Sequence, residues 1–242
     1  MDRVTPEKKS GPNVDEVSYR AARVAGPEDP APVTVVALDA MGVIYRSADD
    51  VTDLLIPYAR AHGSRLEPQR VLEFYVECSL GRMRSAELWE RLGASRASDE
   101  EYCSGHELTE GLLAALERLN ARGMRLACLS NDVSEWSLVQ RRAFGLDRYV
   151  QTWVISGDIG VRKPSPEAYG ALVRAVNVDP CQILFVDDRM ANVRAARAAG
   201  LASMLYAPTG PRLDEDGRRT LPTMDELDEV SESALTGRDG GV

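Results

Sequence analysis

The sequence predicts an α/β fold in which a parallel, doubly wound sheet carries an inserted α-helical subdomain. Two observations support the sheet: short apolar runs, several of them β-branched, recur along the chain, and helical patterns separate them. A third observation supports the insertion, because residues 47–107 are helical and amphipathic and contain no clear strand.

Four apolar runs predict buried strands, and each run is followed by polar residues. They span residues 33–38, 124–129, 150–155 and 182–186. Continuous apolar runs are typical of strands that are buried on both faces, as in a parallel sheet. In such sheets the ligand site lies beyond the carboxyl ends of the strands, so we expect the polar residues after these runs to meet in one crevice.

The predicted helices follow the 3.6-residue period of an amphipathic helix. In the sheet domain they span residues 108–121, 134–144, 166–176 and 190–199. In the insertion they span residues 51–61, 69–77 and 86–92. The chain is therefore expected to divide into a core, residues 33–46 and 108–207, and a helical cap, residues 47–107.

Both ends of the chain differ from this body. Residues 1–32 lack hydrophobic periodicity and contain several prolines, which predicts a flexible leader. Residues 208–242 hold nine acidic and four basic side chains, which predicts an acidic segment that is partly disordered. Within it, residues 221–230 have a short helical pattern that could dock on the core.

The composition excludes several classes of function. The 242 residues are 44% hydrophobic and 28% charged, as in globular proteins, and their net charge of −9 disfavours nucleic acid and anionic membrane surfaces as partners. No apolar run approaches the length of a membrane span, and the N-terminus lacks the apolar stretch of a secretion signal, so we expect a cytoplasmic protein. The four cysteines form no C-x-x-C pair, which argues against a zinc or redox motif.

Three carboxylates are expected at one edge of the sheet. Asp39 closes the first strand, and Asp187 and Asp188 close the last one. Neighbouring carboxylates raise one another's pKa unless a cation lies between them, and carboxylate oxygens are ligands that suit Mg²⁺. Together they predict a magnesium site, whereas a turn or a helix cap explains any one of them equally well.

Ser130, Asn131 and Lys163 follow other strands and are expected to face the same crevice. The hydroxyl and amide groups of Ser130 and Asn131 can donate hydrogen bonds to an anionic oxygen, and the ammonium group of Lys163 can neutralise an anion. Alone, Ser-Asn-Asp also fits a helix N-cap and a loop lysine also fits a solvated charge. Their common position at the strand ends favours the functional reading.

These segments together resemble the four motifs of the haloacid dehalogenase-like (HAD) superfamily. The resemblance rests on DAMGV at residues 39–43, SN at 130–131, KP at 163–164 and FVDDRMANV at 185–193, in the order and spacing of that family. It covers residues 33–206, and the helical stretch lies where one subfamily carries an α-helical cap. It implies a HAD-like, Rossmann-like core and a hydrolase that uses Mg²⁺.

The resemblance also implies roles for the motif residues. Asp39 would be the nucleophile that forms a covalent aspartyl intermediate, and Ser130, Asn131 and Lys163 would be the other catalytic residues, with Ser130 and Lys163 stabilising the transferring group. The metal would be held by the carboxylates of Asp39, Asp187 and Asp188 and by the backbone carbonyl of Met41.

One position departs from the family pattern. Phosphatases of this superfamily carry a second aspartate two residues after the nucleophile, as general acid and then general base, and here that position is Met41. A thioether can do neither, and such assistance is typically worth about 10²–10⁴-fold in rate. Three explanations stay open: the leaving group needs no proton, another group of the cap or the substrate supplies it, or catalysis is lost.

The sequence thus predicts a hydrolase that acts on a small phosphorylated metabolite, and two alternatives stay open. One is a non-catalytic relative that binds a phosphorylated ligand or partner, which Met41 favours. The other is a dehalogenase, which Asp187 and Asp188 disfavour because dehalogenases of this type carry uncharged residues there. Cleavage of a carbon–phosphorus bond is disfavoured as well, because it depends on a cap lysine and residues 47–107 contain none.

Substrate selection is expected to lie in the cap. Arg82 and Arg84 are candidate ligands for a second anionic group on the substrate, although a solvated helix start also explains them. We expect no nucleic-acid and no membrane partner, and the sequence leaves a homodimer open.

Overall fold

Five parallel strands form the central sheet in the computed structural model, which describes residues 32–229. The strands are Val35–Leu38 (β1), Arg125–Ser130 (β2), Thr152–Ile155 (β3), Ile183–Asp187 (β4) and Ala202–Leu205 (β5). They lie in the order β3-β2-β1-β4-β5, so β1 is at the centre. The predicted α/β fold with a parallel sheet is confirmed.

Strand β5 is the one that the sequence does not predict. Its four residues, Ala-Ser-Met-Leu, are all half-buried and none is β-branched. Neither continuous burial nor strand propensity therefore marks it.

The register of β1 places the ends of three strands side by side. Leu38, the last residue of β1, lies opposite Cys128 of β2 and Val186 of β4. The N–H of Asp39 donates a hydrogen bond to the carbonyl of Val186 at 2.9 Å. The residue after β1 is thereby fixed beside the end of β4.

The helices between β1 and residue 107 form the insertion. A π-helical turn, Val51–Leu55, leads into α1 (Ile56–Ala61), and three helices follow: α2 (Pro68–Cys78), α3 (Ser85–Leu92) and α4 (Asp99–Cys103). Short α4 is not predicted, although Ser98 accepts a hydrogen bond from the N–H of Glu101, the usual contact of an N-cap. The division of the chain at residues 47 and 107 stays a prediction.

A half-buried carboxylate ties the insertion to the core. Oδ1 of Asp99 accepts hydrogen bonds from the indole N–H groups of Trp89 in α3 and Trp136 of the core, both at 2.7 Å, and Oδ2 accepts one from Ser85 at 2.6 Å. Trp136 also belongs to the hydrophobic cluster that the insertion helices form. The insertion and the core therefore share one packed interface.

The core helices connect the strands and cover both faces of the sheet. They are α5 (Leu112–Ala121), α6 (Ser134–Ala143), α7 (Ser156–Ile159), α8 (Pro166–Val176) and α9 (Met190–Ala198), and short 3₁₀ turns occupy Leu146–Arg148, Pro180–Gln182 and Met224–Glu226. Along β1, Val36 and Leu38 pack on the α5 side and Val35 and Ala37 on the α8 side, and all four are fully buried. Burial on both faces explains the continuous apolar runs.

The acidic segment continues along the core as far as the structure describes it. Leu221, Met224 and Leu227 are buried in the cluster that contains α5, as the helical pattern of residues 221–230 suggests. Asp214 is buried and accepts a hydrogen bond from Arg197 at 2.7 Å. The predicted flexible leader, apart from residue 32, and residues 230–242 lie outside the described residues.

Within residues 32–229, no helix combines the length and the apolar character that crossing a bilayer requires.

Candidate active site

Asp39 lies directly after β1 and is 6% exposed. Its Oδ1 accepts a hydrogen bond from the N–H of Ala40 at 2.6 Å and an ion pair from Nζ of Lys163, also at 2.6 Å. The hydrogen bonds found among the described residues thus converge on Oδ1 and leave Oδ2 as the oxygen available to a substrate.

Lys163 connects two of the carboxylates. Its Nζ lies 2.6 Å from Oδ1 of Asp39 and 2.8 Å from Oδ2 of Asp187, and the lysine is 4% exposed. Lys163 is therefore a buried charge at the strand ends and not a solvated loop lysine.

The backbone of Lys163 is held by Asn131. Oδ1 of Asn131 accepts a hydrogen bond from the N–H of Lys163 at 2.7 Å, and Nδ2 donates one to its carbonyl at 2.9 Å. The neighbouring Ser130 is 1% exposed, and its hydroxyl has no hydrogen-bond partner within residues 32–229. A buried hydroxyl group without a hydrogen-bond partner costs free energy of folding. The hydroxyl of Ser130 is therefore available to donate a hydrogen bond to an anion bound beside it.

Asp187 and Asp188 differ in how far the protein satisfies them. Asp187 is fully buried, and its oxygens accept hydrogen bonds from the N–H of Arg189 at 2.9 Å and the amide of Asn192 at 3.0 Å in addition to the lysine. Oδ1 of Asp188, by contrast, is buried and has no partner in the described part of the chain. An unsatisfied buried carboxylate oxygen beside two other carboxylates is a suitable ligand for a cation.

Oxygens of Asp39, Asp187 and Asp188 lie within 4.8 Å of one another. Gly42 makes this proximity possible, because a Cβ on this residue would overlap the carboxylate of Asp188. The φ of Gly42 is +80°, in the left-handed region that favours glycine. The residues present therefore fit a hard divalent cation such as Mg²⁺.

Burial and neighbouring charges shift the pKa values of the cluster. Burial, and then the charge of Asp187, raise the pKa of Asp39 well above its ordinary value, although Lys163 opposes them. Burial and Asp187 likewise raise the pKa of Asp188 to about 6. Burial lowers the pKa of Lys163, but Asp187 and Asp39 outweigh it, so its pKa is raised and the ammonium stays charged. The single positive charge of Lys163 does not balance the negative charges of three ionised carboxylates. A divalent cation bound between them would hold all three ionised.

A cavity of about 240 Å³ opens on the cluster. Sequence-predicted residues that line it are Asp39, Met41, Ser130, Asn131 and Lys163. Residues that sequence reasoning missed line it as well: Asp50, Tyr75, Arg162 and Arg189. The sequence signal that could have found the two arginines is their position: Arg162 directly precedes Lys163, and Arg189 directly follows Asp188 within the segment at residues 185–193. Asp50 and Tyr75 come from the insertion, whose position over the strand ends no motif specifies.

Arg82 and Arg84 are not among the residues that line this cavity. Arg82 pairs with Glu77 at 2.7 Å, and Arg84 pairs with Glu135 at 3.2 Å. The side chain of Arg84 is 85% exposed. The structure therefore places both arginines in surface ion pairs and not beside Asp39.

Comparison with known families decides the classification. Residues 33–200 match the haloacid dehalogenase-like hydrolases. The chain belongs to this family. Its HAD-like motifs are the segments that converge on the cavity, as the sequence resemblance implies.

Curated relatives of this HAD-like chain include phosphoglycolate phosphatases. Phosphoglycolate phosphatase 1 of Pseudomonas aeruginosa is 31% identical over 146 residues, which cover 54% of this chain and 53% of the relative. The phosphoglycolate phosphatase of Nitrosospira multiformis is 26% identical over 186 residues, 71% of this chain and 82% of the relative. The chain spans about half the length, or somewhat less, of the first curated relatives that it matches.

Solved HAD structures share the fold. A HAD family enzyme from Bacteroides thetaiotaomicron superposes with a TM-score of 0.62 at 18% identity and covers 74% of this chain and 96% of its own. That enzyme has also been solved with magnesium and inorganic phosphate. The L-2-haloacid dehalogenase from Xanthobacter autotrophicus has a TM-score of 0.59 at 16% identity, covering 83% of this chain and 98% of its own. Likeness of fold alone therefore does not distinguish phosphate chemistry from dehalogenation.

Proposed function

We propose that this HAD-like hydrolase is a Mg²⁺-dependent phosphatase that acts on a small phosphomonoester through Asp39. One observation carries the proposal: Lys163 bridges Asp39 and Asp187, while Asp188 presents a buried, unpartnered oxygen to the same cluster. The arrangement combines a nucleophile, a fixed cation and ligands for a metal at the mouth of one cavity.

Asp39 would attack phosphorus through Oδ2, which the hydrogen bonds to Oδ1 leave free. The bond between phosphorus and the leaving oxygen breaks, and the oxygen takes its electron pair. Water then attacks phosphorus in the aspartyl phosphate, which releases inorganic phosphate and restores the carboxylate. Ser130 and Lys163 are suited to stabilise the charge on the transferring oxygens, because one is an unpartnered donor and the other a buried cation.

Four groups would hold the metal: the carboxylates of Asp39, Asp187 and Asp188 and the backbone carbonyl of Met41. When bound, Mg²⁺ supplies positive charge that keeps the carboxylates ionised and offsets the charge of the phosphoryl group. The acidic pair at the end of β4, Asp187 and Asp188, also favours phosphate-ester hydrolysis over dehalogenation. A dehalogenation transfers no dianionic group that would need a metal ion.

The cavity supports a small substrate with a second anionic group. At about 240 Å³ it lies below the range of roughly 300–1,000 Å³ that is usual for drug-sized ligands. Arg162 and Arg189 line it and can form charge-assisted hydrogen bonds with a carboxylate. The phosphoglycolate phosphatases among the relatives are named for a substrate of this kind. We therefore replace Arg82 and Arg84 by Arg162 and Arg189 as candidate substrate ligands.

A non-catalytic binding protein is the second candidate, and Met41 is the observation that favours it. Such a protein has no need of a carboxylate held by a buried lysine, so the retained Asp39 and Lys163 favour the enzyme.

Phosphate release from small phosphomonoesters, acyl phosphates included, tests the proposal. Wild-type protein should release phosphate with Mg²⁺ and lose this activity with a chelator, and Asp39→Asn should lower the rate at least about 10³-fold. Asp53→Asn removes an exposed carboxylate and serves as the matched control. Undiminished release by Asp39→Asn, or halide release from 2-haloacids instead of phosphate release, would contradict the proposal.

A further inference from the structure

The general acid that phosphatases of this family place two residues after the nucleophile is Met41 here, and the cavity must supply a proton from elsewhere if an alkoxide is to leave. An alkoxide is a poor leaving group, because its conjugate alcohol is a very weak acid. A general acid therefore has to protonate the leaving oxygen as the phosphorus–oxygen bond breaks. The candidates are the other side chains with a carboxyl or phenol group that line the cavity with Asp39: Asp49, Asp50 and Tyr75.

Two of these candidates are engaged or exposed. Asp49 is exposed, and its Oδ1 accepts a hydrogen bond from the N–H of Thr52 at 3.2 Å. The hydroxyl of Tyr75 donates to the carbonyl of Asn131 at 3.0 Å, so its proton already has an acceptor. Arg162 and Arg189 also line the cavity, but a guanidinium does not release its proton in proteins.

Asp50 differs from both. It precedes the π-helical turn Val51–Leu55, is 5% exposed and lines the cavity. The one hydrogen bond to its side chain within the described residues is a long one, from the hydroxyl of Tyr102 to Oδ2 at 3.4 Å. A buried carboxyl group that faces a cavity and is held so weakly is free to exchange a proton with a ligand.

We propose that Asp50 replaces the absent aspartate as the catalytic acid and base of this site. The inference rests on the proposed phosphatase function. In the first step, the carboxyl proton of Asp50 moves to the leaving oxygen as the phosphorus–oxygen bond breaks and Asp39 binds phosphorus. In the second step, the Asp50 carboxylate takes a proton from the water that attacks the aspartyl phosphate, so the enzyme returns to its starting state and the products are an alcohol and phosphate.

The surroundings of Asp50 suit this exchange. Burial, and then the charge of Asp49, raise its pKa to about 6, while Tyr102, Arg162 and Arg189 oppose the shift. Such a group is available in both protonation states near neutral pH, as a residue that acts first as acid and then as base must be. Two further ionisable groups influenced by its charge are Tyr75 and Asp132.

Rapid-quench measurement of leaving-group release in the first turnover tests the inference with two substrates. 2-Phosphoglycolate needs a proton on its leaving oxygen, whereas acetyl phosphate releases acetate and needs none. Asp50→Asn should slow release from 2-phosphoglycolate about 10²–10⁴-fold and leave the release of acetate nearly unchanged. With acetyl phosphate the variant should accumulate the aspartyl phosphate, because the base is absent. Met41→Asp in the Asp50→Asn background should restore release from 2-phosphoglycolate, and Asp53→Asn should behave as wild type.

Three results would overturn the role of Asp50: equal slowing of both substrates, slowing of neither, or a wild-type protein that acts on acetyl phosphate alone. Failure of the proposed function looks different. In that case wild-type protein releases neither leaving group, or Asp39→Asn releases them as fast as wild type.

Discussion

Asn131 holds the backbone of Lys163 with two hydrogen bonds: its Oδ1 accepts one from the N–H of Lys163 at 2.7 Å, and its Nδ2 donates one to the carbonyl of Lys163 at 2.9 Å. The last strand residue before it, Ser130, belongs to β2, so this contact ties the lysine loop to the sheet. The position of the lysine charge between Asp39 and Asp187 therefore depends on an amide that itself lies one residue outside the strand.

Asn131→Ala should lower kcat about 10–100-fold with a smaller change in KM, because the ammonium group of Lys163 loses its support and moves from the nucleophile. Steady-state kinetics on any substrate of the wild type measures this. Asn120→Ala is the matched control, since Asn120 also donates from its side-chain amide to a backbone carbonyl, that of Tyr149, at 3.3 Å. An Asn131→Ala protein with wild-type kcat would show that the lysine loop is held by other contacts.

Gly42→Ala should weaken Mg²⁺ activation at least about tenfold, because the new Cβ overlaps the carboxylate of Asp188 and pushes it from the cluster. The measurement is the Mg²⁺ concentration that gives half-maximal activity. Gly93→Ala is the control: Gly93 has a similar φ of +69°, but a Cβ there meets nothing within 4 Å. Both variants should lose about 1–2 kcal/mol of stability from the left-handed backbone, and equal loss of Mg²⁺ activation in both would contradict the account.

Arg189→Gln should raise the KM for 2-phosphoglycolate about tenfold and leave the KM for a phosphomonoester without a second anionic group nearly unchanged, because one charge-assisted hydrogen bond is lost. Arg84→Gln tests the alternative from the sequence. Its side chain is 85% exposed and pairs with Glu135, so we expect no change for either substrate. A larger effect of Arg84→Gln than of Arg189→Gln would return substrate selection to Arg82 and Arg84, which do not line the cavity.

Asp132→Asn should stabilise the protein at alkaline pH. Burial, and then the charge of Asp50, raise the pKa of Asp132 to about 8 in the folded state. An unfolded aspartate ionises near pH 4, so the folded state keeps a proton that the unfolded chain has lost, and the contribution of this group to stability falls as the pH rises from about 4 to about 8. The asparagine still accepts the hydrogen bond from the N–H of Val133 but never ionises.

Urea unfolding at pH 5 and pH 8.5 measures the effect of Asp132→Asn. The variant should exceed wild type by about 2 kcal/mol or more at pH 8.5 and by clearly less at pH 5. The exposed Asp53→Asn is the control for loss of a charge. A stability difference that is the same at both pH values would mean that Asp132 is not protonated in the folded protein.

The sequence predicts the residues at the strand ends well because parallel topology alone brings them together. Asp39, Ser130 and Asp187 each end or directly follow a strand, and the register of β1 with β2 and β4 then leaves no freedom in their relative positions. Lys163 is fixed less tightly by this reasoning, because a loop residue has no strand register, and the KP motif at residues 163–164 supports its place.

Residues of the insertion cannot be predicted in this way. Asp50 and Tyr75 line the cavity because the insertion packs on α6 through Trp136 and Asp99, a tertiary contact that leaves no pattern in the local sequence. Arg82 and Arg84 have the charge that a substrate ligand needs, but their helix start faces solvent and acidic neighbours. Charge alone therefore does not identify the residues that face the cavity.

The central claim is that Asp39 becomes covalently phosphorylated during turnover. The most direct measurement is mass spectrometry of protein that has been acid-quenched during turnover with acetyl phosphate and Mg²⁺, followed by peptide mapping and a hydroxylamine-treated control. The account predicts a phosphate adduct on Asp39 that hydroxylamine removes, that is absent without Mg²⁺ and that Asp50→Asn increases. Turnover without an adduct at any quench time, or an adduct on another residue that persists in Asp39→Asn, would contradict it.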